Sequence, residues 1–475
     1  MSSERVFSIF KELNAIPRPS HHEEKVADFL CQFAERLNLE YERDPANCVV
    51  IRKPATPSHE DAEPIVLLNH MDMVCVGMDD PENTPIEAYV EDGWMKARGT
   101  SLGADNGIGL SMALAVLESD DIVHGPLEVI TTTNEEDGMS GAAQLRPTFI
   151  QGRKVINLDS EDYDTITTGA AGACLQFHEI PTTRVPSPAY GHQWFRITFT
   201  GGLGGHSGVD IDKGRISAVI AMKRLLHFIH ILCDVHIASL RMGEANASIA
   251  SSAEAILCVP RGGYASFVVQ QQIVAKNWLK FYYGDTDPYM FCKVETCDPQ
   301  PTVIKSKPFR ILMDCLEQIP QGVIKMSDTT TGTVETSNNI GIVETRDNCI
   351  FVSTHTRSFV NTTLSQLSTK IAHVFEANGG TSRRVMMAPA WREYQDSAFM
   401  QLTSDTFNDV LGWRPRMVAM HFVLEAGYFV SKFPGIEIAC IGPRIVEPHS
   451  TSERVELSTV DDIWKVLLEM LKRLA

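Results

Sequence analysis

The chain has 475 residues, of which 44% are hydrophobic and 21% are charged, and its formal net charge is −18 at pH 7. This length exceeds what one hydrophobic core usually organises, so we expect two domains. The negative charge argues against nucleic acid or an anionic membrane surface as a partner, whereas a small substrate could still bind in a cleft of opposite potential.

The eleven cysteines are scattered along the chain and include no CxxC pair. Their odd number and irregular spacing favour reduced thiols over a disulfide framework. No stretch approaches the roughly 18 consecutive apolar residues of a membrane span, and the start of the chain lacks the apolar region of a signal peptide. The sequence therefore predicts a soluble cytoplasmic protein.

The first part of the chain alternates between helix and strand patterns. Helices are predicted at 23–37 and 106–118, and strands at 65–68, 127–133 and 154–158. This alternation is typical of βαβ units. It predicts an α/β fold in which a mostly parallel sheet is covered by helices.

A proline-rich stretch at 181–188 interrupts this alternation and predicts a domain boundary. The following region has longer amphipathic patterns: helices at 215–229, 266–282 and 364–376, and antiparallel strands within 329–357. A strand at 436–441 and a helix at 460–474 then return to the first pattern. We therefore predict a catalytic domain formed by 1–186 and 389–475, interrupted at 187–388 by an inserted α+β domain that serves as a lid or dimerisation domain.

Carboxylate and imidazole side chains follow the predicted strands of the first domain. They are His70 and Asp72 after 65–68, Glu135 and Glu136 after 127–133, Asp159 after 154–158, and His449 in the loop beyond 436–441. Asp105 directly precedes a predicted helix, where an N-cap residue would stand. In open α/β sheets the ligand crevice forms at the carboxyl ends of the strands. We therefore expect these side chains to converge.

Taken alone, each of these residues has an ordinary explanation, such as a helix cap or a solvated loop charge. Together they supply two imidazoles, two terminal carboxylates and one bridging carboxylate, which is enough for three protein ligands on each of two zinc ions. The predicted ligands are His70, Asp105, Glu136, Asp159 and His449. The same set would accept Mn²⁺ or Co²⁺.

Two acidic residues remain beside these ligands. Asp72, two residues after His70 in an extended chain, can accept the second N–H of that imidazole and set its tautomer. Glu135 adjoins a ligand and can act as the general base, taking a proton from the attacking water and giving it to the leaving amine.

Five segments resemble the aminoacyl-histidine dipeptidases, also called cytosol non-specific dipeptidases, which belong to a clan of aminoacylase and carboxypeptidase-like dizinc exopeptidases. The segments are NHMDMVC (69–75), GTSLGADNGIGLSMALAVLE (99–118), TTNEEDGMSGA (132–142), INLDSED (156–162) and GGLGGHSGVDI (201–211). The resemblance extends over essentially the whole chain.

This resemblance implies a metallo-dipeptidase of broad preference, with Xaa-His dipeptides among the candidate substrates. A hydroxide that bridges the metals and is generated by Glu135 would attack the peptide bond. One zinc would take His70 and Asp159, and the other would take Glu136 and His449. Asp105 would bridge them, across a cis Asp105–Asn106 peptide bond.

The resemblance also implies substrate contacts. His206 would donate a hydrogen bond to the scissile carbonyl oxygen, accompanied by Asn246, and Arg357 would bind the substrate's α-carboxylate. Glu425 would bind the free amino group. The chain departs from the family beside Asn246, which is followed by Ala-Ser-Ile rather than Ala-Ile-Pro, and before Glu425, where it has His-Phe-Val rather than His-Ala-Gly. Relatives also form homodimers through the inserted domain.

Two alternatives remain at this point. An N-acyl amino acid amidohydrolase or a tripeptidase could use the same metals and scaffold, because a fold does not determine its substrate. A catalytically silent binding protein would be expected to lack a ligand or the base, and none of these residues is missing.

Overall fold

The computed structural model describes residues 3–392 and 396–475. Residues 1–2 and 393–395, which fall in the predicted first and last segments, lie outside the described part. The helices are α1 (Glu4–Asn14), α2 (Glu24–Arg36), α3 (Ala104–Glu118), α4 (Ser140–Gln144), α5 (Ala218–Leu232), α6 (Gly263–Tyr283), α7 (Ser306–Gln318), α8 (Asn361–Ala377), α9 (Ala398–Leu411), α10 (Ala426–Lys432) and α11 (Leu457–Arg473). In this described part no helix is long and apolar enough to cross a membrane.

The strands are likewise numbered in chain order. They are β1 (Glu40–Arg43), β2 (Val49–Lys53), β3 (Ile65–His70), β4 (Ala88–Glu91), β5 (Trp94–Ala97), β6 (Leu127–Thr132), β7 (Lys154–Asn157), β8 (Thr165–Ala170), β9 (Gly172–Pro181), β10 (Arg184–Pro186), β11 (His192–Thr200), β12 (His236–Met242), β13 (Ala253–Pro260), β14 (Phe291–Thr296), β15 (Thr302–Ile304), β16 (Gly322–Met326), β17 (Val334–Thr345), β18 (Cys349–Ser358), β19 (Thr381–Ala388), β20 (Arg416–Met420), β21 (Glu437–Cys440), β22 (Ile445–Val446) and β23 (Arg454–Glu456).

The chain divides into two compact units. The first runs up to Gly169 and also contains Trp391–Ala419 and Glu425–Ala475, and the second consists of Ala170–Ala390 and Met420–Leu424. The proline-rich stretch at 181–188 lies inside the second unit, because the chain enters that unit at β9, before the prolines. The division into domains at 1–186, 187–388 and 389–475 therefore remains a prediction.

The first unit is built on an eight-stranded sheet in the order β1-β2-β6-β3-β7-β21-β8-β20. Its centre is parallel, since β3 pairs in parallel with β6 and β7, and β7 pairs in parallel with β21. Every residue of β3 and β6 is buried, as expected of strands covered on both faces. The predicted α/β fold is confirmed, with antiparallel strands added at both sides of the parallel centre.

Helix α3 packs closely against the end of β7. A Cβ atom at Gly109 would lie 2.2 Å from the main-chain oxygen of Leu158, so only glycine allows this approach. The side-chain amide of Asn106 donates a hydrogen bond of 2.7 Å to the same oxygen. These two contacts hold the start of α3 beside the carboxyl end of β7.

The second unit is built on a nine-stranded sheet in which β14-β11-β13-β12-β17-β18-β9-β19 are consecutive and β16 also pairs with β17. Its long central hairpin, β17–β18, matches the antiparallel strands predicted within 329–357. Ile350 and Val352 of β18 belong to the hydrophobic core that includes residues of α5 to α8. Because side chains alternate along a strand, Phe351, His355 and Arg357 lie on the opposite face.

Candidate functional site

The carboxyl ends of three neighbouring strands bring the predicted residues of the first unit together. His70 is the last residue of β3, Glu135 and Glu136 follow β6, and Asp159 follows β7. These strands are adjacent and parallel, so their carboxyl ends meet at one edge of the sheet. His449 comes from the loop between β22 and β23 and joins the same cluster.

Asp105 lies between the two imidazoles. Its Oδ1 atom is 3.1 Å from His70 Nε2, and its Oδ2 atom is 3.2 Å from His449 Nε2. His70 Nε2 is also 3.1 Å from Asp159 Oδ1, and His449 Nε2 is 2.9 Å from Glu136 Oε1. The cluster therefore consists of two His-carboxylate pairs that share the two oxygens of one aspartate.

This arrangement fits two divalent cations. Ligand atoms at about 2.0–2.2 Å from a tetrahedral zinc ion stand roughly 3.3 Å apart, which is close to the separations within each pair. Among the described residues, every candidate metal-binding group belongs to this cluster, and one of them also includes Glu135. The donor set of imidazole nitrogens and carboxylate oxygens suits zinc, manganese and cobalt alike.

The carboxylates of the cluster are crowded and withdrawn from water. Burial raises the pKa of Asp159 to about 7 and that of Glu135 well above its ordinary value, and neighbouring carboxylates add to the shift of Glu135. Hydrogen bonds that His449 donates to the carboxylates of Asp105 and Glu136 raise the pKa of His449 to about 11. Such an excess of negative charge around two imidazoles is what divalent cations would offset.

Asp72 organises the segment behind the cluster. Its carboxylate accepts hydrogen bonds from the main-chain N–H groups of Glu135 and Glu136 at 3.0 and 3.2 Å, and from the Ser20 hydroxyl at 2.8 Å. The Nδ1 atom of His70 is 3.1 Å from the main-chain oxygen of Asp72 and 3.5 Å from its carboxylate. The nearer acceptor for this imidazole is therefore the main chain of Asp72, and its carboxylate holds the loop that carries Glu135.

Asp105 does not cap α3, so the ordinary explanation of this residue as a helix cap does not apply. The helix begins at Ala104, and Asp105 has non-helical torsion angles of φ −81° and ψ 111° within its first turn. The peptide bond between Asp105 and Asn106 is cis. This conformation turns the carboxylate toward the two imidazoles instead of toward the main-chain N–H groups of the helix.

The buried carboxylate of Glu453 takes the place of a cap. It accepts hydrogen bonds from the main-chain N–H groups of Leu102, Gly103 and Ala104 at 2.7, 3.0 and 2.8 Å. The main-chain N–H of Asp105 donates a longer hydrogen bond of 3.4 Å to the same carboxylate. Leu102 and Gly103 precede α3, so these successive N–H groups form a concave main-chain site of the kind that stabilises an anion. Sequence reasoning missed Glu453, and an isolated glutamate in a polar loop carries no local signal for this role.

Glu425 lies at the N-terminus of α10 in the first unit. Its carboxyl group is buried, one of its oxygens has no hydrogen-bond partner among the described residues, and burial raises its pKa to about 8. Asp159 and Asp72 contribute to this shift, so Glu425 is close to the cluster. A cationic group bound beside Glu425 would restore its charge.

The second unit contains a separate polar cluster around Arg357. This guanidinium is 3% exposed, and burial lowers its pKa to about 10. Its Nη2 atom lies 3.3 Å from His206 Nε2 and 3.4 Å from the Ser207 hydroxyl, and its Nε atom has no partner. No carboxylate among the described residues forms an ion pair with it, so Arg357 is a buried cation without a counter-ion.

The hydrogen bonds of His206 determine where its proton resides. The main-chain N–H groups of Gly208 and Val209 point at its Nδ1 atom from 3.3 and 3.2 Å. Because Nδ1 accepts, the neutral imidazole carries its proton on Nε2. That N–H and the adjacent Arg357 Nη2 are both donors, so the pair is arranged to share an oxygen atom of a ligand.

Asn246 is not joined to this pair. The structure gives it no hydrogen bond to His206 or Arg357 in the described ranges, and its Oδ1 atom is buried without a partner. It lines a cavity with Phe177 and Arg383 instead. Two further histidines of the second unit, His355 and His421, are nearly buried and also have unpaired ring nitrogens.

Replacing Glu453 with glutamine should weaken metal binding without removing a ligand. An amide group presents a donor to main-chain N–H groups that need an acceptor, so the start of α3 and Asp105 would lose their support. We expect the dissociation constant for the metals to rise by about 10–100-fold, measured by competition with a chelator. Glu87→Gln, on an exposed loop, is the control and should bind as the wild type does; equal affinity for both variants would contradict the role of Glu453.

Comparison with known proteins gives consistent matches. A model of the peptidase family M20/M25/M40 matches residues 66–473. The chain is 33% identical over 486 residues to the cytosol non-specific dipeptidase of Escherichia coli (strain K12), covering 100% of this chain and 98% of that protein. It is similar to the crystal structure of the aminoacylhistidine dipeptidase from Vibrio alginolyticus, with a TM-score of 0.92, 32% identity and coverage of 99% and 96%. The aminopeptidase PepT from Bacillus cereus ATCC 10987 shares the fold at 18% identity and a TM-score of 0.64, with coverage of 100% and 99%.

These matches extend over the segments that carry the candidate site. The family model includes every predicted metal ligand from His70 to His449, and the Escherichia coli relative aligns with the whole chain. The resemblance found in the sequence motifs is therefore confirmed, and the chain belongs to the peptidase family M20/M25/M40.

Proposed function

We propose that the protein is a dinuclear metallo-dipeptidase that hydrolyses dipeptides of broad composition, Xaa-His dipeptides among them. The observation that carries this proposal is the position of Asp105, whose two oxygens face His70 and His449 separately. The names of the relatives from Escherichia coli and Vibrio alginolyticus support the same substrate class. We propose zinc as the native metal, held by His70 and Asp159 on one side, Glu136 and His449 on the other, and Asp105 between them.

The residues around the metals divide the chemical work. When bound, two divalent cations supply Lewis acidity, which polarises the scissile carbonyl group and makes the attacking water more acidic. Glu135 takes a proton from that water on a carboxylate oxygen and passes it to the leaving amine nitrogen. Asp72 keeps Glu135 in place through its hydrogen bond to the main-chain N–H.

The groups of the second unit recognise the substrate in this proposal. Arg357, a buried cation without a counter-ion, binds the α-carboxylate, and the adjacent His206 donates its Nε2 proton to a substrate oxygen. Glu425 of the first unit binds the free amino group, which would restore its charge. For Asn246, no hydrogen bond to His206 or Arg357 among the described residues supports a shared role with this pair.

A dipeptide panel with metal removal and restoration tests the proposal. Hydrolysis of Ala-His and Ala-Leu should cease after chelation and return when two equivalents of Zn²⁺ are added, while Mn²⁺ and Co²⁺ should restore it to different extents. N-acetyl-His should be a poor substrate, because it has no free amino group to pair with Glu425. The readout is kcat/KM for each peptide and the metal content of each preparation.

Other results from this panel would identify a different member of the same family. Preference for N-acetyl-His over Ala-His would indicate an N-acyl amino acid amidohydrolase, and preference for a tripeptide would indicate a tripeptidase. Stoichiometric metal without hydrolysis of any of these compounds would indicate a binding protein. Each of these outcomes contradicts the dipeptidase proposal.

Replacing Glu135 with glutamine should separate proton transfer from metal binding. The glutamine side chain cannot accept the proton from water, so we expect kcat to fall by about 10²- to 10⁴-fold. The metal content should stay at two per chain, because the five ligands are unchanged. Asp137→Asn, in the exposed part of the same loop, should retain the wild-type kcat; near-complete activity of the Glu135 variant would exclude it as the base.

We also propose a cytoplasmic location. All eleven cysteines of the chain are described, and each is free, as expected in a reducing compartment. The Escherichia coli relative is named a cytosol protein.

We also propose that the protein forms a homodimer through the second unit, at the edge of its nine-stranded sheet. Strand β14 is the outer strand of the nine-stranded sheet, next to α6. Apolar side chains surround this edge, with Ile273 64%, Phe281 80% and Tyr289 71% exposed. These exposed apolar side chains of α6 and of the loop before β14 form a surface that a second copy of the chain would cover, and a two-fold axis would make the contact closed.

Sedimentation equilibrium tests this assembly. The wild-type protein should have the mass of two chains, and Ile273→Glu, which places a charge on the apolar edge, should have the mass of one. Val90→Glu, at an exposed apolar position of β4 in the first unit, should remain dimeric. A monomeric wild-type protein would rule out the homodimer.

A further inference from the structure

His355 is a buried histidine that the proposed chemistry does not use. It lies two residues before Arg357 on β18, and side chains two residues apart on a strand share a face, about 6.6 Å from each other along the chain. His355 is 6% exposed, and neither of its ring nitrogens has a hydrogen-bond partner among the described residues. An imidazole buried in this way costs free energy unless a ligand completes its hydrogen bonds.

The neighbours of His355 across the sheet cannot supply those hydrogen bonds. They are Leu175 on β9 and Asn339 on β17. The amide of Asn339 is already occupied, since it donates to the main-chain oxygen of Ser248 and accepts from Gln321. Both nitrogens of His355 therefore remain without a partner from its cross-strand neighbours.

The charge around His355 favours an anionic group. Burial and the nearby Arg357 hold the pKa of His355 well below its ordinary value, so the imidazole is neutral and carries one N–H. His206 and His421 have lowered pKa values as well, mainly through burial. The carboxylate of Asp210 is engaged by Arg215 and by the main-chain N–H of His206. The cluster thus has one uncompensated positive charge, on Arg357, and donors that lack acceptors.

His355 and Arg357 lie two residues apart on one face of β18, so a ligand that binds to Arg357 can present a second group to His355. The α-carboxylate and the side-chain carboxylate of glutamate are separated by four bonds of about 1.5 Å, or about 5 Å in an extended conformation. If Arg357 binds the α-carboxylate, as in the proposed function, a side chain that ends in a carboxylate carries an acceptor for the unpaired N–H of His355. An apolar side chain at the same position would leave that N–H buried and unpaired.

We propose that His355 binds the side chain of the substrate's C-terminal residue and that it makes the protein prefer dipeptides ending in aspartate or glutamate over those ending in an apolar residue. This inference rests on the proposed dipeptidase function and names its preferred substrate class. His355 acts as a specificity-determining residue: it contacts the substrate's side chain and takes no part in the proton transfer.

The test compares Ala-Glu, Ala-Gln and Ala-Leu as substrates of the zinc-loaded full-length protein. Because a hydrogen bond to a charged group is stronger than one between neutral groups, we expect kcat/KM for Ala-Glu to exceed that for Ala-Leu by about tenfold or more. The value for Ala-Gln should lie between them. In His355→Leu this ratio should fall to near one, through a higher KM for Ala-Glu and with an unchanged or improved kcat/KM for Ala-Leu. His355→Gln, which keeps a donor, should retain part of the preference.

His178→Gln is the matched control. His178 is a buried histidine of the same sheet whose ring nitrogens are paired with the hydroxyls of Ser382 and Thr354. It should leave the Ala-Glu to Ala-Leu ratio at the wild-type value, which separates recognition from a general loss of stability. Thermal unfolding of each variant checks that it is folded, and His355→Gln provides the comparison if His355→Leu is not.

The outcomes distinguish the inference from the function on which it rests. Hydrolysis of all three dipeptides without preference for Ala-Glu, or an unchanged ratio in both His355 variants, overturns the role of His355 and leaves the dipeptidase proposal intact. Failure of the zinc-loaded wild type to hydrolyse any of them overturns both.

Discussion

The first unit depends on holding several carboxylates together at the end of a buried parallel sheet. Like charges repel, and burial withdraws the water that would screen them. The chain offsets this cost in two ways: His70 and His449 lie between the carboxylates, and main-chain N–H groups bind those carboxylates that stay behind the cluster, Asp72 and Glu453. The remaining negative charge is what two divalent cations neutralise.

The same constraint explains the unusual start of α3. A helix normally satisfies its first N–H groups with the side chain of its own N-cap residue. Here those groups bind Glu453, and Asp105 is released to face the imidazoles. The cis peptide bond after Asp105 and the left-handed φ of 57° at His449 are further departures from ordinary backbone geometry within this one cluster.

Much of this site could be predicted because its residues follow short apolar strands. Three strands are recognisable from their apolar composition: one ends at His70, one comes before Glu135 and one comes before Asp159. Because parallel neighbours end at one edge of a sheet, these residues are expected to meet there. The anchoring of Asp105 could not be predicted, since Glu453 is 348 residues away in the sequence. Local patterns show only that Asp105 precedes a helix, so its place among the metal ligands could be predicted but not the contacts that hold it there. The position of His355 beside Arg357 could have been noticed from the alternation along β18, but its unpaired nitrogens become evident only from burial.

The parallel centre of the first sheet has a consequence for the order in which the protein can form. Strand β21, at Glu437–Cys440, lies between β7 and β8, which come more than 260 residues earlier in the chain. His449 and Glu453 follow it directly. During synthesis, this sheet can therefore close, and His449 and Glu453 can join the cluster, only after nearly the entire polypeptide has left the ribosome. Pairings of such long sequence separation form slowly, so the nascent chain carries an incomplete sheet until translation is almost finished. During that time the apolar strand β7 is paired with β3 but lacks its other neighbour, β21.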